Sequence, residues 1–311
     1  MSAAAVSPTE CAHRSGEPVC HVRGVNPHRW NGRTAVLVHG AWHSGAHYLE
    51  TFDRRPGWAY DFAAAGYRVL LPDWPGTGRS PAVRQPDHIT ADYICQGLGA
   101  VIDSVTGPVD LLVHSMSGPY GWRLLETHSS KIENLVAVAP GLPAEMAEPP
   151  ESWEDLGDSI RTVRPEGEYT FPKRGWTTGS RSFIADHCIG ASTRMPPVDI
   201  AAYEASLFPL WGGLSAELLK ATLTSAKSDA KLGGRVLIVI GTHDAGHPRD
   251  AGDRLAVWLR QHGAQADYIY LGDRGIHGNG HMLMLEDNSS EIAGVVLGWL
   301  TLGREAEALR C

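Results

Sequence analysis

Cysteine, positive charge and long apolar runs are all scarce in this chain of 311 residues. The five cysteines are Cys11, Cys20, Cys95, Cys188 and Cys311. Their odd number and wide spacing argue against a disulfide framework or a zinc ribbon. A Cys11–Cys20 bridge is conceivable in an oxidising compartment only; free thiols are otherwise expected. Lys and Arg number 27 against 35 Asp and Glu, for a net charge of -8. That balance argues against nucleic acid or an anionic membrane as partner. No apolar run reaches the roughly 18 residues of a spanning segment, so no transmembrane helix is expected. The first eight residues, Met1 to Pro8, have neither the basic region nor the apolar run of a secretory leader, so a cytoplasmic protein is expected. There is no internal repeat and no low-complexity tract.

What is present is an ordinary globular balance, 43% hydrophobic and 20% charged, on a chain long enough to bury a large core without staples. Residues 1–30 are polar and rich in His, Pro and Gly and read as an arm, with a short strand near 19–22. Apolar runs at 34–38, 67–73, 109–113, 135–138, 235–240 and 268–271 predict strands. Helical patterns at 52–65, 90–105, 118–128, 250–262 and 289–300 alternate with them. Alternation of this kind predicts an α/β fold, a mainly parallel sheet covered on both faces. The rhythm breaks over 142–231, which holds Pro149-Pro150, Pro196-Pro197 and scattered aromatics. This stretch reads as a cap or lid inserted between the sixth and seventh strands. The core is then 31–141 with 232–302, and 303–311 is a tail. Phe183, Tyr203, Phe208 and Trp211 are candidates for the cap's inner, substrate-facing surface; packing within the cap is the alternative for each.

A serine hydroxyl becomes a nucleophile only with a base in reach and a group that orients the base. A sharp strand-to-helix turn thrusts such a serine above the sheet and sets helix N–H groups beside it. Here the strand 109–113 meets the helix 118–128 with no spacer, and Ser115 sits at the joint of Val113-His114-Ser115-Met116-Ser117-Gly118. The usual spacing, G-x-S-x-G, places small residues two positions either side; Val113 and Ser117 stand there instead. Ser117 is the competing nucleophile, with Pro119 poorly suited to one of its small positions.

Four further motifs follow in order: His39-Gly40-Ala41-Trp42 after the early strand, Asp73-Trp74-Pro75-Gly76-Thr77-Gly78-Arg79-Ser80, Gly241-Thr242-His243-Asp244 after a late strand, and Gly278-Asn279-Gly280-His281-Met282 before the last helix. Together with the serine turn, over roughly residues 30–302, the chain resembles the α/β-hydrolase superfamily. The ending is similar to a bacterial and fungal serine esterase subgroup with G-N-S-H-M near the C-terminus. The resemblance implies Ser115 as nucleophile, His281 as general base, Asp244 as triad acid, and backbone N–H groups of Ala41 and Met116 as oxyanion donors, with Trp42 shaping the pocket. It implies no cofactor. His277 is the rival base. In the subgroup the acid is often a Glu just before Pro-Gly, where this chain has Ala139, so the role falls to Asp244, to Glu145, or is unfilled.

Histidines 39, 43 and 47, and the pair His243 and His247, have metal-ligand spacing. Gly40, Gly45 and Pro248 interrupt any helix face, so loops are expected and no metal. Gly76-x-Gly78 lacks the Lys-Ser/Thr of a phosphate loop. The expected activity is hydrolysis of an ester or lactone of a mostly apolar small molecule through an acyl-enzyme. A non-hydrolytic enzyme on the same fold (a lyase, a cyclase or a C–C bond-cleaving enzyme) and an inactive ligand-binding protein stay open as alternatives. A homo-oligomer is compatible with the sequence.

Overall fold

The computed structural model describes residues 9–12, 18–146, 150–164, 167–197, 200–219 and 232–308. Its first half runs β1 (Thr9–Ala12), β2 (His21–Val25), β3 (Thr34–Val38), α1 (Trp58–Ala64), β4 (Arg68–Pro72), α2 (Ala91–Asp103), β5 (Val109–His114), α3 (Gly118–Thr127) and β6 (Ile132–Val138). Between β6 and the next strand of the main sheet lie β7 (Ser152–Asp155), β8 (Ser159–Arg164), β9 (Gly167–Pro172), β10 (Trp176–Thr177), α4 (Arg181–Phe183), α5 (Ile200–Ala205), β11 (Leu210–Trp211) and α6 (Gly212–Leu219). The chain closes with β12 (Arg235–Ile240), α7 (Arg249–Gln261), β13 (Gln265–Tyr270) and α8 (Ser289–Ala308).

Eight strands form one sheet in the order β1-β2-β4-β3-β5-β6-β12-β13. The β1–β2 and β2–β4 pairs are antiparallel and the remaining pairs parallel. Every residue of β3 and β5 is buried, as a strand covered on both faces requires. The inserted stretch builds its own small sheets, β7-β8-β9 and β10-β11.

Two helices differ from the pattern-based expectation. The first begins at Trp58 rather than near residue 52 because Pro56-Gly57 breaks the turn; a Cβ on Gly57 would lie 2.4 Å from the Tyr48 carbonyl oxygen. The last runs to Ala308 rather than 300, since Arg304-Glu305-Ala306-Glu307-Ala308 are good helix formers with no Pro to stop them. Cys20, Cys95 and Cys188 are free and buried, so no Cys11–Cys20 bridge forms.

The end of the sheet remote from Ser115 is tied by a charged network. Arg33 donates to Asp110 at 2.8 and 2.5 Å and to Glu133 at 2.7 and 2.8 Å, and the Asn134 amide donates to Asp110 at 2.7 Å. These side chains sit beside or at the starts of β3, β5 and β6 and hold them in register. We expect Asp110→Ala to destabilise the fold by about 3–5 kcal/mol in urea unfolding, because it breaks a buried ion pair and leaves the Nε and Nη2 donors of Arg33 and the Asn134 amide without their acceptor.

Candidate active site

At the other end of β5 the chain turns abruptly into α3 through one tight turn, Ser115–Ser117. Ser115 takes φ 52, a left-handed backbone conformation rare for a residue with a side chain and costing on the order of 1–3 kcal/mol. The surroundings hold it there. The Gly141 N–H donates to the Ser115 carbonyl at 2.8 Å. A Cβ on Gly118 would fall 2.5 Å from the Gly141 oxygen, so this position must stay bare. Val113, the bulky residue where the usual spacing has a small one, is accommodated by Gly121 on α3, whose Cβ would lie 2.9 Å from a Val113 methyl.

The Ser115 hydroxyl donates to His281 Nε2 at 3.0 Å, and His281 Nδ1–H donates to Asp244 Oδ2 at 2.9 Å. His281 and Asp244 are buried. Their loops meet because Gly241 is bare; a Cβ there would lie 2.4 Å from the Asn279 carbonyl oxygen. The His243 N–H donates to that same oxygen at 2.7 Å. Burial alone would raise the Asp244 carboxyl. The facing His247 and His281 imidazoles outweigh it and hold the group well below the usual carboxylate range.

The rival residues are placed elsewhere. Ser117 donates its hydroxyl to the His39 carbonyl at 2.6 Å and so pins the loop before Gly40. Glu145 accepts from the Trp258 indole N–H at 3.1 Å, not from a histidine of the site. His277 is exposed, and its carbonyl accepts from Arg194 at 3.0 Å.

The His39–Trp42 loop lies against the nucleophile turn. A Cβ on Gly40 would come within 3.0 Å of Ser115 Cβ and 2.8 Å of His114 Nδ1, so only glycine fits and the following Ala41 is brought beside Ser115. Two histidines brace this loop. His39 donates from Nδ1 to the Gly40 carbonyl at 2.8 Å and accepts the Trp74 N–H at 3.2 Å. His43 donates from Nδ1 to the Ala41 carbonyl at 2.7 Å and accepts from the Tyr203 hydroxyl at 2.9 Å.

The five aromatic candidates divide. Trp42 and Phe183 meet edge to face at 4.7 Å, Phe183 lies 4.8 Å from the His187 ring, and His187 lies 4.3 Å from His281. These rings form one wall leading to His281. Tyr203 is 1% exposed and braces His43 from behind, so it cannot present a face to a ligand. Trp211 is buried against Trp176 at 5.7 Å, across the β10–β11 pair. Phe208 lines a groove of about 530 Å³ with Arg23, Arg54, Arg79 and Tyr60, none of them a member of the Ser115 site.

Three further residues of the site were not among the site candidates: His187 and Glu286 carried no sequence signal, and His247 carried only its spacing from His243. His247 donates from Nδ1 to Asp244 Oδ2 at 3.0 Å. His187, in the wide turn Ile184–Ile189, is half-buried, and burial pushes its imidazole down to about 3. Glu286 is fully buried and accepts from the Gly280 N–H at 2.6 Å, the Asn279 amide at 2.6 Å and the Ser192 hydroxyl at 2.5 Å. It fixes the loop that carries His281. By distance, Asp244, His247 and His281 would accommodate a metal ion, each offering an atom within 4.8 Å of the others. Their arrangement, two Nδ1–H donors on one carboxylate oxygen, is that of a hydrogen-bond relay.

Fold and site together define a hydrolase of the α/β class. Residues 35–295 match the model of the alpha/beta hydrolase family, and the chain belongs to that family. It is 25% identical to the "Probable secreted lipase phiG" of a fungus (strain ATCC 74256), over 85% of this chain and 80% of that one. Among solved structures it is similar to the thioesterase domain from the curacin biosynthetic pathway (TM-score 0.60, 16% identity, 94% of this chain and 99% of that one). It is similar as well to the epoxide hydrolase VrEH1 of Vigna radiata (TM-score 0.62, 17% identity, 94% and 98%). At these identities the structures share the fold. Among the described residues no helix is long and apolar enough to cross a membrane.

Proposed function

We propose that this protein is a serine hydrolase that cleaves an ester or lactone of a mostly apolar small molecule through an acyl-enzyme on Ser115. The observation that carries this reading is the unbroken relay from Ser115 Oγ to His281 Nε2 at 3.0 Å and from His281 Nδ1 to Asp244 Oδ2 at 2.9 Å. As Ser115 Oγ attacks the substrate carbonyl, its proton passes to His281 Nε2. The Ala41 and Met116 N–H groups receive the developing oxyanion. Collapse of the tetrahedral adduct breaks the ester C–O bond, and His281 returns the proton to the leaving alkoxide. Water, deprotonated by the same imidazole, then frees the acid.

The stretch 142–231 serves as the cap of this site, and the Trp42–Phe183 wall receives the apolar part of the substrate. Cys20, Cys95 and Cys188, free among the described residues, favour a reducing, cytoplasmic setting. A fluorophosphonate probe is expected to label the wild-type protein and fail to label Ser115→Ala, read by mass spectrometry. Hydrolysis of p-nitrophenyl esters should disappear with the label. A wild-type protein that stays unlabelled would overturn the reading.

A further inference from the structure

Asp244 serves two histidines. His281 and His247 both aim Nδ1 at the same oxygen, Oδ2, at 2.9 and 3.0 Å, and their rings stack at 5.2 Å with 17° between planes. The second imidazole is held as firmly as the first. The Gly246 N–H donates to the other carboxylate oxygen at 3.1 Å, and the His247 N–H donates to the Asp244 carbonyl at 3.2 Å. Pro248 follows at once as the residue capping α7. His247 is thus fixed between the acid's turn and a helix start. The serine-hydrolase reading gives it no role.

We propose that His247 is a positioning residue that shares the triad carboxylate and thereby sets how strongly Asp244 supports the protonated form of His281. This rests on the serine-hydrolase reading. A carboxylate oxygen divided between two donors is a weaker acceptor toward each. Removing one donor concentrates its charge on the other and stabilises the imidazolium at His281. The neutral imidazole is the form that accepts the Ser115 proton, so the variant should lose its base at a higher pH than the wild type. Other titratable groups facing the shared carboxylate and its histidines are His114 at the end of β5, His187 in the turn after α4, and the neighbouring Cys188, whose thiol burial pushes up to about 12. Burial pushes both histidines well below the ordinary range, so all three groups stay neutral through the region where the effect is read.

The test is the pH dependence of the rate of fluorophosphonate labelling, which needs no identified substrate. In His247→Phe, which keeps a ring to stack and removes the N–H, the midpoint of the acid limb should rise by about one pH unit, the scale of one charge-assisted hydrogen bond. In the same variant the plateau should stay within about tenfold of wild type, since Asp244 keeps its bonds from His281 and Gly246. His247→Asn, which returns an N–H donor, should bring the midpoint back toward wild type. If circular dichroism shows the Phe variant unfolded, His247→Ala carries the same comparison. Normal labelling with an unmoved midpoint would overturn this proposal alone. No labelling of the wild type would overturn the serine-hydrolase reading and this proposal with it.

Discussion

Asp244→Asn is expected to lower kcat on a p-nitrophenyl ester by about 10⁴-fold, the scale known for loss of a triad carboxylate. Two effects add. The charge that stabilises the imidazolium during attack disappears. The amide also cannot satisfy its surroundings: one oxygen of Asp244 faces two Nδ1–H groups and the other faces the Gly246 N–H. All three neighbours are donors, so an amide must turn its own N–H₂ against one of them. If it turns toward the histidines, Nδ1 of His281 must become the acceptor and the proton moves to Nε2, where it blocks transfer from Ser115. Glu145→Gln should leave kcat within about twofold, as for a surface change away from the site, because its partner is Trp258. Activity within a few-fold of wild type in Asp244→Asn would remove Asp244 as the acid.

The second large effect concerns stability. His39, His43, His47 and His114 are enclosed and His187 is half-buried, and burial lowers the imidazole of each below its ordinary value, His47 to about 4 and His187 to about 3. Unfolding releases them to take protons near their unperturbed value of about 6.5. The unfolded state therefore binds more protons than the folded state in the window from 6.5 down to the depressed values. Stability must fall as pH drops through that window, by about 1.4 kcal/mol per pH unit for each histidine once the unfolded form is fully charged. Asp244 is displaced in the same direction, downward, from a lower starting value. Its contribution is intact above the unfolded carboxylate value near 3.9 and is lost only below it, so the histidines act first. His47 and His187, held at about 4 and about 3, are expected together to remove roughly 2–3 kcal/mol between pH 7 and 5.5, and His39, His43 and His114 add in the same direction, against about 5–15 kcal/mol for an ordinary domain. The urea midpoint should fall steeply over that range, with cooperative acid unfolding near pH 5. A midpoint flat between pH 7 and 5 would mean that these histidines are already protonated in the fold.

Much of the architecture was legible because sheet and helix are local patterns. The runs at 34–38, 109–113 and 235–240 are unbroken apolar over 35–38, 111–113 and 236–240, as a strand buried on both faces requires. Ser115 was legible for a related reason: a strand with no spacer before a helix leaves one residue at the joint. Helix ends were less so. Gly57 against the Tyr48 carbonyl shortens α1 through a contact that no periodicity reports. Tyr203 and Phe183 looked alike as aromatics of the inserted stretch, yet one is enclosed behind His43 and the other stands against Trp42.

The sequence by itself determined the alternation of strands and helices, the sharp turn at Ser115 and the presence of a histidine loop before the last helix, because each is written in residues adjacent along the chain. Tertiary structure decided the rest. Ser115 and His281 are 166 residues apart, and their meeting depends on parallel crossovers that bring the ends of β5, β6 and β12 to one edge. Only that assembly brings Asp244 against His281 and Glu145 against Trp258, turns Ser117 toward the His39 carbonyl, and sets His247 on the same carboxylate oxygen as His281. Hydrogen bonds are directional and short-ranged, so which partner a polar side chain takes is fixed where the loops converge.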